Sequence, residues 1–160
     1  FCVWIFCHVL LLNICMAYRG KFKPKNPKKY MGDPTKITYR SLWERKCMLT
    51  FDDNPNILKW ASEEIAIPYV SPVDRQRHKY FPDFIIELKN RLGKIETVMI
   101  EVKPKKQCLP PKPRKRKTQS FLNESKTYAV NQAKWAAAEA LCKRKGWEFK
   151  VLTEKEIYGK

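Results

Sequence analysis

Two apolar runs, Tyr80 to Leu88 and Thr97 to Val102, flank the short polar segment Asn90-Arg91-Leu92-Gly93-Lys94. A few polar residues with one glycine between two strand-forming runs predict a β-hairpin. A turn centred on Leu92 pairs Phe84 with Ile100 and Ile86 with Val98, placing these four on one apolar face. Period-two alternation then puts Asp83, Ile85, Glu101 and Lys103 on the other face. In this register Asp83 stands opposite Glu101, with Cβ atoms roughly 4.5–5.5 Å apart.

The remaining periodicity alternates between helix and strand. Leu42, Trp43, Cys47 and Met48 give Tyr39 to Leu49 a helical stripe that ends near Asp52-Asp53-Asn54-Pro55. Ile57 to Trp60 and Glu64 to Val70 read as strands leading into a polar loop, Ser71 to Lys79. Ser120 or Asn123 can cap a long helix whose broad apolar stripe includes Tyr128, Val130, Trp135, Ala138, Leu141 and Cys142. Gly146 stops that helix. Trp147 to Leu152 is a final strand, which the helical crossover can lay alongside Thr97 to Lys103.

Composition turns this pattern into one compact α/β unit with basic extensions: 160 residues and 44% hydrophobic content suit a single domain with a real core. Lys and Arg outnumber Asp and Glu 33 to 16, a net charge of +17. That balance points to a polyanionic partner, nucleic acid first and an anionic membrane surface second. Much of the charge lies in two stretches. Residues 16–36 form a basic arm, with six Lys or Arg, two prolines and no acid between Arg19 and Lys29. Such a stretch is expected to bury no core and to stay flexible until it meets a partner. Tyr18, Phe22 and Tyr30, interleaved with the charges, could stack on bases or dock on a protein. The second stretch, Lys103 to Lys117, holds eight basic residues and four prolines in fifteen positions and reads as an extended, mobile loop. Its Lys105, Lys106, Lys112, Arg114, Lys115, Arg116 and Lys117 are the candidate phosphate contacts.

Residues 1–15 contain no Lys, Arg, Asp or Glu, and Met16 follows them. The segment is too short for an ordinary transmembrane helix and lacks both the basic start and the cleavage site of a signal peptide. The expectation is translated upstream sequence with Met16 as the working start, and no stable membrane association; a membrane anchor is the alternative. The six cysteines form no CxxC pair and no zinc-type cluster with His8 and His78. Free thiols in a reducing cytoplasm are expected, against disulfides or zinc.

Candidate chemistry centres on the hairpin. Two carboxylates facing each other across a ladder cost stability unless something neutralises them, and a hard divalent cation such as Mg²⁺ bound by Asp83 and Glu101 would do so. The plain alternative is that Asp83 merely starts a strand after Pro82, and that Glu101 and Lys103 are solvated on an exposed sheet face. Glu44 is open between two roles. Ser41-Leu42-Trp43-Glu44 is a capping-box pattern, and the same helix could deliver Glu44 to the metal as a third carboxylate. Further candidates are Glu63 and Glu64 as extra ligands, His78 as a phosphate contact, and Gln132 and Lys134 on the polar side of the long helix; for each, an ordinary solvated role competes.

The order helical Glu44, Pro82-Asp83 strand, Glu101-Val102-Lys103, helix, strand resembles the PD-(D/E)xK nuclease superfamily, and within it the endonuclease subunit of cut-and-paste transposases. Met16 to Pro24, Ser62 to Tyr69 and Gly146 to Glu154 are further similar to the head completion nucleases of T-even-type tailed bacteriophages, so the resemblance spans residues 16–160. It implies a restriction-endonuclease-like core over residues 37–160, a mixed central β-sheet flanked by helices. It also implies Mg²⁺-dependent DNA endonuclease activity, with Mn²⁺ able to substitute. Glu44, Asp83 and Glu101 would then take metal roles and Lys103 a catalytic one. Implied partners are DNA and phage capsid, portal or neck proteins, and the implied location is the host cytoplasm, with the virion as a further one. A structural capsid-completion protein that binds through its basic arms, with a vestigial nuclease core, is the alternative from another class.

Overall fold

The computed structural model describes residues 18–116 and 118–159. The apolar segment 1–15, Met16 and Lys117 lie outside the described residues, and so do the expectations placed on them. Among the described residues, no helix is long and apolar enough to cross a membrane, and Cys47, Cys108 and Cys142 are free thiols.

The central sheet has four strands in the order β3 (Ile57–Ser62), β6 (Phe84–Lys89), β7 (Ile95–Val102) and β8 (Glu148–Leu152). β3, β6 and β7 are successively antiparallel, and β8 runs parallel to β7, so the sheet is mixed. The β6–β7 ladder has the predicted register, with Phe84 opposite Ile100 and Ile86 opposite Val98. Its loop closes through Asn90 and Lys94, with Gly93 in the left-handed region at φ 79°, where a side chain would be strained. Even-numbered hairpin residues face a core with Cys47, Met48 and Phe51 of α1 (Leu42–Asp53). Odd-numbered ones, Ile85 and Met99, face Ala138 and Cys142 of α3 (Gln119–Lys145). A helix therefore covers each face, which is why both parities of the hairpin are apolar.

Helix α3 begins on Thr118, whose side chain caps Phe121, two residues before the earlier predicted cap Ser120; it ends on Gly146 in the left-handed conformation, as predicted. It carries the chain back to start β8 beside β7, the connection that parallel neighbours need. A short C-terminal helix α4 (Glu154–Tyr158), opened by a capping box between Thr153 and Glu156, was not predicted.

The basic arm is not a flexible tail. β1 (Gly20–Lys21) pairs with β2 (Thr38–Tyr39), and Phe22, Tyr30 and Ile37 are buried in the α1-side core. Phe22 and Tyr30 pack edge-on against the fully buried Trp60, at ring-centroid distances of 5.8 and 4.8 Å. Each such aromatic pair contributes about 0.5–1.5 kcal/mol beyond area burial. The polar side of the arm is held as firmly: buried Asp52 accepts the backbone N–H of Lys25 at 2.7 Å, and Lys29 Nζ donates to the carbonyls of Asp52 and Asn54 at the end of α1. A cation there complements the helix dipole. Charge counting hid these contacts because the aromatics that do the burying are interleaved with lysines that remain in solvent.

Ser71 to Lys79, expected to be a polar loop, is a loop only in part. β4 (Ile67–Val70) and β5 (Arg77–Tyr80) form a separate antiparallel ribbon, so the predicted polar loop shrinks to its tip. Three polar residues, Arg77, His78 and Lys79, conceal this strand because only Tyr80 among its residues is buried. Polypeptide irregularity at Phe81, Pro82 and Asp83 then divides what had read as one run into β5 and β6.

Candidate functional site

The chemistry gathers where the β6–β7 ladder ends. Lys103 N–H donates to Leu152 of β8, so the N–H of Val102, one residue earlier, faces the opposite edge. Pairing there has stopped, and Asp83 Oδ2 accepts that N–H at 2.7 Å. Asp83 thus finishes the ladder with its side chain, one residue beyond the last paired residue, Phe84, and just past Pro82, which has no N–H to offer.

Glu101 is 3% exposed, and both its oxygens are engaged: Oε1 with Lys103 Nζ at 2.9 Å and Oε2 with the Tyr80 hydroxyl at 2.6 Å. Burial, together with the Glu101 charge, pushes the Asp83 carboxyl up to about 7, against which Lys103 and the Val102 N–H act only in part. Burial alone would lower the Lys103 ammonium; the carboxylates of Glu101 and Asp83 outweigh it and hold the group above the ordinary lysine range. Tyr80 is driven far upward by burial and by Glu101, so its hydroxyl stays protonated and donates. A buried acid, Glu101, and a half-buried one, Asp83, therefore share the charge of one cation, Lys103, and the site is short of positive charge.

Glu44 performs the capping role. Its Oε2 accepts the Arg40 N–H at 2.8 Å, its Oε1 accepts the Ser41 hydroxyl at 2.9 Å, and the Ser41 side chain accepts the Glu44 N–H. Its charge still reaches Asp83 and Lys103. Three of the other candidates are engaged elsewhere. Glu63 pairs with Arg40 at 2.9 Å, Glu64 accepts from the Tyr30 hydroxyl, and His78, on a strand and not a loop, holds Asp74 at 2.7 Å. Gln132 is exposed. Lys134 Nζ lies over the rings of both Tyr69 and Tyr80, 5.8 Å from each centroid, and so borders the tyrosine that grips Glu101.

The basic loop opens with a helical turn, α2 (Lys105–Cys108), and runs irregularly to Arg116. Lys105, Lys106, Lys112, Lys115 and Arg116 are exposed, whereas Arg114 pairs with Glu124 at 3.3 Å and lies over the Phe121 ring. The stretch is thus tied to α3 through Arg114, and at its start through the Lys105 N–H, which donates to Glu154 at 2.9 Å, instead of hanging free.

Sequence reasoning missed Tyr80. Its signal lay in the pairing of β4 with β5: once Ile67 is opposite Tyr80, both face α3 and the odd-numbered side of the hairpin, where Glu101 points. Replacing Tyr80 with Phe is expected to leave the fold in place, because the ring keeps its packing, while Glu101 loses one of two donors. Mn²⁺ affinity measured by calorimetry should fall by about ten- to a hundredfold, the usual cost of losing a residue that holds a metal-ligating side chain in place; an unchanged affinity would mean that the phenol only fills space.

Among the described residues, no three His, Cys, Asp or Glu side chains gather as a metal cage. The donor set nonetheless fits Mg²⁺, which keeps several waters and takes only one or two carboxylates. Asp83 offers a second oxygen, Oδ1, that accepts no hydrogen bond among the described residues, and its raised carboxyl is what a divalent ion would correct.

The family described as TnsA-like endonuclease N terminal matches residues 54–154. That span contains Tyr80, Asp83, Glu101 and Lys103 and stops short of Glu44. The head completion nuclease of Enterobacteria phage T4 is 45% identical over 143 residues, covering 87% of this chain and 93% of that protein.

Proposed function

Because the chain belongs to the TnsA-like endonuclease family, we propose that it is a metal-dependent DNA endonuclease that cuts phosphodiester bonds during head completion in a tailed phage. Asp83 and Glu101 would hold Mg²⁺, with Mn²⁺ as a substitute, and Glu44 would act on the site through its charge. When bound, such an ion polarises the scissile phosphate and lowers the pKa of a coordinated water. Lys103, kept as a cation by its acidic neighbours, stabilises the negative charge that develops on the phosphoryl oxygens. Tyr80 fixes the Glu101 carboxylate, and the low exposure of Glu101 strengthens each of these interactions. The observation that carries this reading is the pair of acids sharing one lysine, with Asp83 raised to about 7.

Incubating the protein with linear and circular duplex DNA in Mg²⁺ or Mn²⁺ tests it. Cleavage that EDTA stops is expected. DNA binding without cleavage in either metal would move the protein to the other class, a capsid-completion component that uses its basic surfaces structurally.

The exposed cations of the loop would guide DNA toward the site. Neutralising Lys112, Lys115 and Arg116 is expected to make the plot of log affinity against log salt shallower by about 2–3, since each phosphate contact contributes about 0.9 to the slope. Mn²⁺ binding should not change. A slope equal to that of the parent protein would assign the loop to another partner, the portal or neck of the capsid among them.

A further inference from the structure

The β4–β5 ribbon has one face the site does not use. Register pairs Pro68 with Lys79 and Val70 with Arg77, and these four exposed residues form its outer face, while Ile67, Tyr69 and Tyr80 pack toward α3. Beyond the paired residues, the tip closes through hydrogen bonds between Ser71, Arg75 and Gln76 and leaves Pro72 and Val73 in solvent.

The charge on this ribbon is one-sided. Asp74, its sole acid from Ile67 to Tyr80, is occupied by His78 and the Gln76 N–H. Arg75, Arg77 and Lys79 are exposed and have no ion-pair partner among the described residues. An apolar outer face alone would suit a protein partner; apolar residues alternating with unpaired cations suit a nucleic acid, whose grooves offer sugar and methyl surfaces between lines of phosphate. The dimensions agree, because the major groove, about 12 Å wide, admits a two-stranded ribbon. The root of the ribbon is fixed at the site: Tyr80 ends β5 and bonds Glu101, and only Phe81 and Pro82 separate it from Asp83.

We propose that the β4–β5 ribbon is a duplex-DNA contact element that lays its outer face, Pro68, Val70, Arg77 and Lys79, into a groove beside the bond to be cut. The placement beside the cut rests on the nuclease reading. Contact between ribbon and duplex does not, and it is measured without cleavage.

Fluorescence anisotropy of a labelled blunt duplex in Ca²⁺, across a salt series, is the test. Arg77→Thr with Lys79→Thr keeps strand-forming residues and is expected to weaken duplex binding about tenfold, with the log–log slope shallower by about 2. Arg91→Ser with Lys94→Ser removes the same charge from the hairpin loop at the far end of β6 and should change affinity less than twofold. Arg77→Lys should retain the parent slope. A Thr/Thr variant that melts like the parent yet binds duplex with the parent affinity and slope would overturn the proposal and leave the nuclease reading standing. So would equal losses in the two double variants, since that reports net charge and not the ribbon. If the parent protein binds duplex but cuts nothing, the nuclease reading fails while the ribbon result still holds.

Discussion

Asp83→Asn is expected to reduce cleavage by on the order of a thousandfold or more, because it removes one of the two carboxylates that would hold the metal. Asn is the sharper substitution than Ala: its carbonyl oxygen can still accept the Val102 N–H that Asp83 accepts now, so the end of the ladder survives. The same variant has a second signature without metal. The Asp83 carboxyl is raised from 3.8 to about 7 by burial and by Glu101, so the folded state prefers it protonated. Below about pH 4 both folded and unfolded chains carry that proton and the group costs nothing. Between there and pH 7 the unfolded chain ionises first, and above 7 the folded state carries the full penalty. Metal-free Asp83→Asn should therefore melt higher than the parent at pH 8, by an amount on the order of 1–3 kcal/mol, with the advantage fading as pH falls toward 4. Thermal melts across that range in EDTA read it directly. A variant less stable than the parent at pH 8 would mean that Asp83 is already neutralised by some other route.

Lys103→Met is expected to act in the opposite sense. Turnover should fall by about 10²–10³, the usual cost of removing one group aimed at developing charge, while Mn²⁺ still binds because both carboxylates remain. Its metal-free stability at pH 8 should drop, since Glu101 loses the cation 2.9 Å away and stays buried, and removing one partner of a largely buried pair leaves an uncompensated charge. Single-turnover cleavage beside calorimetry separates the two effects. Full activity in Lys103→Met would remove the residue from the mechanism, and a metal-free melt above that of the parent would remove the shared-cation account of the site.

The hairpin was legible because two kinds of pattern agreed on it: apolar runs of both parities and a glycine-containing turn allow one register, and Phe84 opposite Ile100 is that register. Gly146 was legible for a similarly local reason, as it terminates a long stripe in a conformation glycine favours. Elements whose stability comes from distant partners were not. β5 shows three polar residues and one buried tyrosine, and its pairing with β4 appears only once α3 is in place beneath them. Phe22 and Tyr30 read as aromatics of a binding arm because the sequence does not reveal Trp60 as their partner. α4 is a different case: Thr153-Glu154-Lys155-Glu156 carries a capping box in plain view, in a segment too short for apolar periodicity to draw attention to it. At the site, sequence brought Asp83, Glu101 and Lys103 together correctly in space, whereas Glu44 was evenly open and both its oxygens prove to cap α1. Asp83 itself stands at the ladder's end and not squarely across from Glu101, a consequence of Pro82 ending the pairing one residue early.

A divalent-metal site held jointly by Asp83 and Glu101 is the proposal from which the other expectations follow. Calorimetric titration of Mn²⁺ into the parent protein and into Asp83→Asn at pH 8 tests it most directly. Saturable binding to the parent is expected, with a loss of at least about a hundredfold in affinity for the variant; equal affinity in the two proteins, or no binding to the parent, would rule the site out.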